Sequence, residues 1–165
     1  MKRFKRLIAI LPLLLAGCFG SQEGADISAI KATFELPSNA KTLLYQAKPQ
    51  SIVRENLRIL TKFKLSEIEA QRLKEHVKNS PDWQRFPVSS GLLQRMQVDR
   101  ITQIFDGQLS HPSNHRWYSC RHSGDDILNA KTVVTAATGS KLRDYMFAVI
   151  DFDTNTVMVK VRTAY

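Results

Sequence analysis

Tyr145-Met-Phe-Ala-Val-Ile-Asp-Phe-Asp-Thr-Asn-Thr-Val-Met-Val-Lys-Val-Arg-Thr-Ala-Tyr165 decides the fold. Met146, Ala148, Ile150 and Phe152 alternate along its first half, and Val157, Val159, Val161 and Tyr165 continue the alternation along its second. Period-two spacing gives each half one apolar face, the signature of a half-buried strand. The polar cluster Asp153-Thr154-Asn155-Thr156 between them is turn chemistry, so the two runs form a hairpin. Asp151-Phe-Asp153-Thr-Asn155 also has the opening spacing of a calcium loop. The glycine and glutamate that such a loop needs at its sixth and twelfth positions are replaced by Thr156 and Arg162, which leaves the hairpin as the better account.

Outward from this hairpin, Arg116 to His122 and Lys131 to Ala137 read as two more strands, bounded by Ser123-Gly124-Asp125 and Thr138-Gly139-Ser140. Short connections make consecutive strands antiparallel neighbours, a meander. Upstream, Ile30, Ala32, Phe34 and Leu36 line one face of an opening strand that stops at Pro37-Ser38-Asn39, and Leu43, Tyr45 and Ala47 suggest a second. Leu57, Ile59, Phe63 and Leu65 alternate with Arg58, Lys62 and Lys64; Val53, Leu57 and Leu60 also fit a helix from Ser51, and the strand is favoured. Ser66-Glu67-Ile68-Glu69 is a capping box that opens a helix to about Lys78. Leu92 to Phe105 is a weaker amphipathic helix with Gly107 as its stop. The expected fold is therefore α+β, an antiparallel β-meander sheet with about two helices packed on one side, in a single domain spanning residues 27–165.

The other end of the chain carries an address. Lys2, Arg3, Lys5 and Arg6 precede an apolar run from Leu7 to Ala16, long enough for a signal-peptide core and too short to span a bilayer. The run exits through Leu15-Ala16-Gly17-Cys18, which resembles the lipobox of bacterial lipoprotein precursors. That resemblance implies a signal peptide over 1–17, acylation of Cys18 and a stable bilayer anchor made by two or three acyl chains. Phe19 stands where inner-membrane lipoproteins of many Gram-negative bacteria carry aspartate, so the implied location is the outer membrane facing the periplasm, if the source is Gram-negative. Residues 18–26 then form the lipidated cysteine and a short tether, since FGSQEGAD is polar, glycine-containing and aperiodic.

Loss of the leader removes four of the 24 basic side chains and leaves 20 against 15 acidic ones. Such a mild excess on an exported chain argues against nucleic acid and suits an anionic lipid or an envelope protein. Part of the excess is patterned: Arg58, Lys62 and Lys64 on one strand, with Lys160 and Arg162 on the last, would form a basic face if those strands share a sheet.

Three of the four histidines gather with the sole mature cysteine in His111-Pro-Ser-Asn-His115-Arg-Trp-Tyr-Ser-Cys120-Arg-His122. Imidazole and thiolate are zinc ligands, and Cys120 and His122 would share a strand face. The spacing matches no zinc signature and Pro112 blocks helical pairing of His111 with His115, so a packed Cys120 is the favoured account and no cofactor is expected. A Cys/His hydrolase centred on Cys120 needs an activating environment that a mid-strand position does not supply. Trp83 and Trp117 suit packing.

These observations describe an envelope lipoprotein with a non-catalytic binding or structural domain. Alternatives are a periplasmic immunity protein against a toxin, and a hydrolase or metal-binding protein built on Cys120. The anchor is directly testable: Cys18→Ser should leave an unlipidated precursor, and mass spectrometry of the mature N-terminus should find the acylated cysteine only in the parent chain.

Overall fold

A computed structural model describes residues 11–49, 57–96, 105, 109–122, 128, 130–135 and 139–163. Its architecture grows from the C-terminal hairpin. Strands β6 (Tyr145–Asp151) and β7 (Thr156–Arg162) pair antiparallel from Tyr145 opposite Arg162 to Asp151 opposite Thr156. At the turn, Asp151 Oδ1 accepts the backbone N–H groups of Asp153 at 2.9 Å and Thr154 at 3.3 Å, and Asn155 takes the left-handed conformation (φ 49°) that asparagine tolerates.

Neither strand is at an edge. β7 pairs on its other side with β2 (Leu57–Lys64), which pairs with β1 (Lys41–Pro49), while β6 pairs with β4 (Arg116–His122). Two short strands, β3 (Gln84–Arg85) and β5 (Thr132–Val133), complete the sheet on β4, giving the order β1-β2-β7-β6-β4-β3 with β5 also on β4. Every pairing is antiparallel, and the protein is α+β. The β1–β2 hairpin joins the sheet through the last strand of the chain, so strand order departs there from sequence order.

Alternation assigns the two faces. Ile59 and Phe63 of β2, Met146, Ala148 and Ile150 of β6, and Val157, Val159 and Val161 of β7 form one cluster with Ile30 and Phe34 and with Ala70, Leu73 and Val77 of α2 (Glu67–Asn79). Two long helices thus cover one face. The opposite parity on β4 and β6, Tyr118, Cys120, Tyr145, Phe147 and Val149, builds a second cluster with Phe86, Val88 and the short helix α3 (Ser90–Arg95). The α2 capping box is formed as expected: Ser66 Oγ accepts the Glu69 N–H at 3.4 Å and Glu69 Oε2 accepts the Ser66 N–H at 2.7 Å.

The chief departure from expectation is the N-terminal segment. Ile30 to Leu36 is not a strand: α1 runs from Leu11 to Thr33. Ile30 and Phe34 satisfy both a two-residue and a four-residue repeat, and the residue that separates the two, Ala32, is exposed. The helix closes with Glu35 at φ 53° and the Leu36 N–H donating to the Lys31 carbonyl at 2.9 Å, a Schellman-type stop. Residues 19–26, expected as a loose tether, are also helical, and Asp26 is buried, accepting from the Tyr45 hydroxyl at 2.7 Å and from Gln22 Nε2 at 2.8 Å. Gln22 to Ala25 are exposed, so this part of the helix has no apolar stripe for a periodic reading to find, and it meets the sheet through the polar contact of Asp26. Among the described residues no helix is long and apolar enough to cross a membrane.

Other differences are smaller. The described part of the expected Leu92–Phe105 helix ends at Arg95, and residues 97–104 lie outside the described residues. Within the described part of the expected Lys131–Ala137 strand, residues 131–135, the strand is Thr132–Val133; 136–138, Ser123-Gly124-Asp125, Ser51, Val53, Ala164 and Tyr165 also lie outside the described residues.

Because β7 joins the two halves of the sheet, a chain terminated after Thr156 should lose cooperative thermal unfolding and β content by circular dichroism. Retention of both would show that the sheet closes without it.

Candidate functional site

The sheet brings the five cations singled out in the sequence onto one face. In the β2–β7 ladder Arg58 is opposite Arg162, Leu60 opposite Lys160, Lys62 opposite Met158 and Lys64 opposite Thr156. Their neighbours Ile59, Phe63, Val157, Val159 and Val161 are buried under α1 and α2, so Arg58, Lys62, Lys64, Lys160 and Arg162 share the other face. β1, β2 and β7 together carry Lys41, Lys48, Arg58, Lys62, Lys64, Lys160 and Arg162 and no Asp or Glu. Like charges directly opposed across strands, as Arg58 and Arg162 are in register, repel each other.

The cations sit in different environments. Lys64 is exposed and its Nζ donates to the Thr154 carbonyl at 2.7 Å. Lys160 is buried, flanked in register by Leu60 and Phe147. Arg162 hydrogen-bonds the hydroxyl of Tyr145, its register partner on β6, and that hydroxyl donates in turn to the Met96 carbonyl at 3.4 Å. Burial holds the Tyr145 phenol well above its ordinary pKa, against the opposing pull of Arg162 and Arg58, so it remains a neutral donor. Tyr145 was not singled out in the sequence; only the β6–β7 register reveals that it completes a row with Arg162 and Arg58.

Helix α1 orients this face relative to Cys18, which lies in the α1 backbone. Lys31 Nζ donates to the carbonyls of Ser38 at 2.7 Å and Ala40 at 2.8 Å, beside the start of β1. Asp26, earlier in the helix, meets Tyr45 further along β1. Following α1 toward its N-terminus therefore runs along β1 toward Pro49, the end where Lys48, Arg58 and Arg162 are aligned in register.

The histidine and cysteine cluster is dispersed in role. Cys120 is buried, its Sγ lies 3.9 Å from Met96 Sδ, and burial pushes its thiol up to about 12 despite the opposing field of Arg95. His122 Nδ1 lies 2.8 Å from the Asp144 carbonyl oxygen. His111 is exposed, as is His115, whose Nδ1 is 3.1 Å from Asp153 Oδ1 across the β6–β7 turn. Among the described residues no group of three His, Cys, Asp or Glu is placed to hold a metal ion. Trp83 and Trp117 are both packed in the helix-side cluster, Trp83 against Phe34 at 5.8 Å and Trp117 beneath the Arg85 guanidinium at 5.1 Å.

Comparison with protein-family models, with curated proteins and with solved structures returns no match.

A thiol this far from ionisation is inert, so Cys120 in the folded protein should resist iodoacetamide at pH 8 and react once the protein is unfolded in guanidinium. Cys120→Ala should cost about 1 kcal/mol of stability by removing one small buried group. Rapid alkylation of the native protein would reinstate Cys120 as a reactive centre.

Proposed function

We propose that the chain is a bacterial envelope lipoprotein with a non-catalytic binding domain, held through Cys18, whose basic sheet face lies against an anionic membrane surface. One observation carries the reading: three adjacent strands hold seven lysines and arginines without a single acid, and on the face opposite α1 and α2 Lys64 is exposed and Arg58, Lys62 and Arg162 are half-buried, with Lys160 buried between them. Each cation near an anionic leaflet contributes about 1 kcal/mol, a modest gain that the lipid anchor makes useful by holding the domain at the surface. The lipobox-like exit supports the anchor, and Phe19 after the cysteine supports the outer membrane as destination. The enclosed, unionised Cys120 removes the main support for a Cys/His hydrolase.

Apposition can be read chemically. Lipidated protein reconstituted in vesicles containing phosphatidylglycerol should show slower acylation of Lys62 and Lys64 by an amine-reactive ester than the same protein in pure phosphatidylcholine. The difference should vanish near 1 M salt, where the Debye length falls to about 3 Å. Equal labelling in both vesicles would reject the membrane-facing reading, and protection seen only in native envelope membranes would point to a protein partner.

A further inference from the structure

Strand β1 breaks its own register. Thr42 pairs with Phe63 and Leu44 with Lys62, so Leu43 is an extra residue in the ladder, a β-bulge. Past the bulge Tyr45 falls opposite Thr61 and returns to the helix side, where its hydroxyl meets Asp26. Thr61 Oγ1 donates to the Leu44 carbonyl at 2.9 Å and ties the bulge to β2. Two bulge residues oppose one partner, so Leu43 and Leu44 both stand on the side of the sheet that Lys62 occupies. Leu44 is half-buried, whereas Leu43 is 50 % exposed. Among the described residues the other exposed large apolar side chain is Ile68, on α2. Alternation places the half-buried Leu60 and Met158 on the cationic face as well, interleaved with Arg58, Lys62 and Lys64. An edge strand is ordinarily guarded by charge, a role that the exposed Lys41 suits; an exposed leucine on the same edge does not guard it.

We infer that Leu43 is a membrane-inserting side chain, which the bulge presents to the headgroup boundary of an anionic bilayer while the cations around it meet the lipid phosphates. The inference rests on the membrane-facing reading and adds to it the residue that enters the bilayer. Charge and apolarity together select this occupant. The face carries no acid on β1, β2 or β7, and an anionic leaflet offers negative headgroups with hydrocarbon directly beneath them. Interfacial binding draws on both terms at once, the apolar area buried and the attraction to anionic lipid. Position sets the pose. Lys48, at the end of β1 toward which α1 leads back to Cys18, is roughly 17 Å along the strand from Leu43. Leu43 therefore supplies a contact at the end far from the anchor and lays the sheet flat, instead of leaving it standing on its Lys48 end.

The test uses the mature lipidated protein reconstituted in vesicles, with Leu43→Cys carrying the fluorophore NBD. Cys18 is acylated and Cys120 is buried, which confines the label to the new cysteine. In vesicles containing phosphatidylglycerol the emission should shift to the blue and be quenched by lipid bearing a nitroxide at the top of its acyl chain. In pure phosphatidylcholine it should match the emission in water, and the same label on Ile68→Cys should report water in both vesicles. Leu43→Gln, at parental melting temperature, should speed acylation of Lys62 and Lys64 by an amine-reactive ester about fivefold in phosphatidylglycerol vesicles, the factor expected when half a leucine loses its apolar burial. A label at position 43 that stays aqueous while Lys62 and Lys64 are protected would overturn the insertion and keep the membrane-facing reading. An aqueous label together with unprotected lysines would remove both. A blue shift without nitroxide quenching would put a second copy of the protein against Leu43, and an equal shift on Ile68→Cys would reduce the signal to partition of the dye. Either result overturns the proposal, as would insertion of Leu43 that is the same in both lipids.

Discussion

The alternation of β7 is the constraint on which the rest depends. Val157, Val159 and Val161 are fully buried under the two long helices, while Met158, Lys160 and Arg162 occupy the opposite face of the same seven-residue strand. Because side chains alternate with a period of two, a slip of one residue would exchange the valines for the cations and put Lys160 and Arg162 into the helix-side core. Desolvating unpaired cations there would cost several kcal/mol each, so the register is strongly specified. The same strand bonds β2 on one side and β6 on the other, and thus the core, the join between the two halves of the sheet and the basic face are fixed together.

That coupling explains how a repulsive array of cations is maintained. Burial of three valines and their partners Ile59, Phe63, Met146, Ala148 and Ile150 contributes ~1.5–3 kcal/mol for each larger apolar side chain. A like-charge pair opposed across strands costs a fraction of that. Around β2 and β7 the stability comes from the helix-side face, while the second apolar cluster covers the other face over β4 and β6. The Tyr145 phenol shows the same economy: it belongs to the second apolar cluster by its ring and to the Arg162 row by its hydroxyl.

Much of this was legible in the sequence wherever local chemistry and periodicity agreed. β4 was bounded correctly at Arg116 and His122, the α2 capping box is formed by the residues that suggested it, and the turn between β6 and β7 lies in the expected polar cluster. The basic face was legible only conditionally, since alternation places Arg58, Lys62 and Lys64 on one side of a strand without saying which strand lies beside it. Pairing of β2 with the last strand, about a hundred residues away, is a tertiary fact that no local signal encodes. Residues 30–36 misled for a different reason: positions four apart satisfy both periods, and the decisive Ala32 is a small residue with little preference for either side. The docking of Asp26 on Tyr45 was invisible because each partner looks like an ordinary surface residue by itself.

Continuity of α1 would change the mechanics of a domain held at Cys18, as the lipobox-like exit implies. A flexible eight-residue tether after Cys18 would reach up to ~28 Å and allow the domain to present any face to the membrane. A helix covers the same eight residues in ~12 Å and transmits orientation as well as distance. With Asp26 bonded to Tyr45 and Lys31 bonded to the Ser38 and Ala40 carbonyls, that helix is tied to β1 at two heights and its N-terminal direction is set relative to the strands. Acyl chains on Cys18 would therefore hold the Lys48, Arg58 and Arg162 end of the sheet nearest the bilayer. Restricting the orientations available before contact would lower the entropy still to be lost on meeting an anionic surface, and weak individual contacts would then suffice to select one pose.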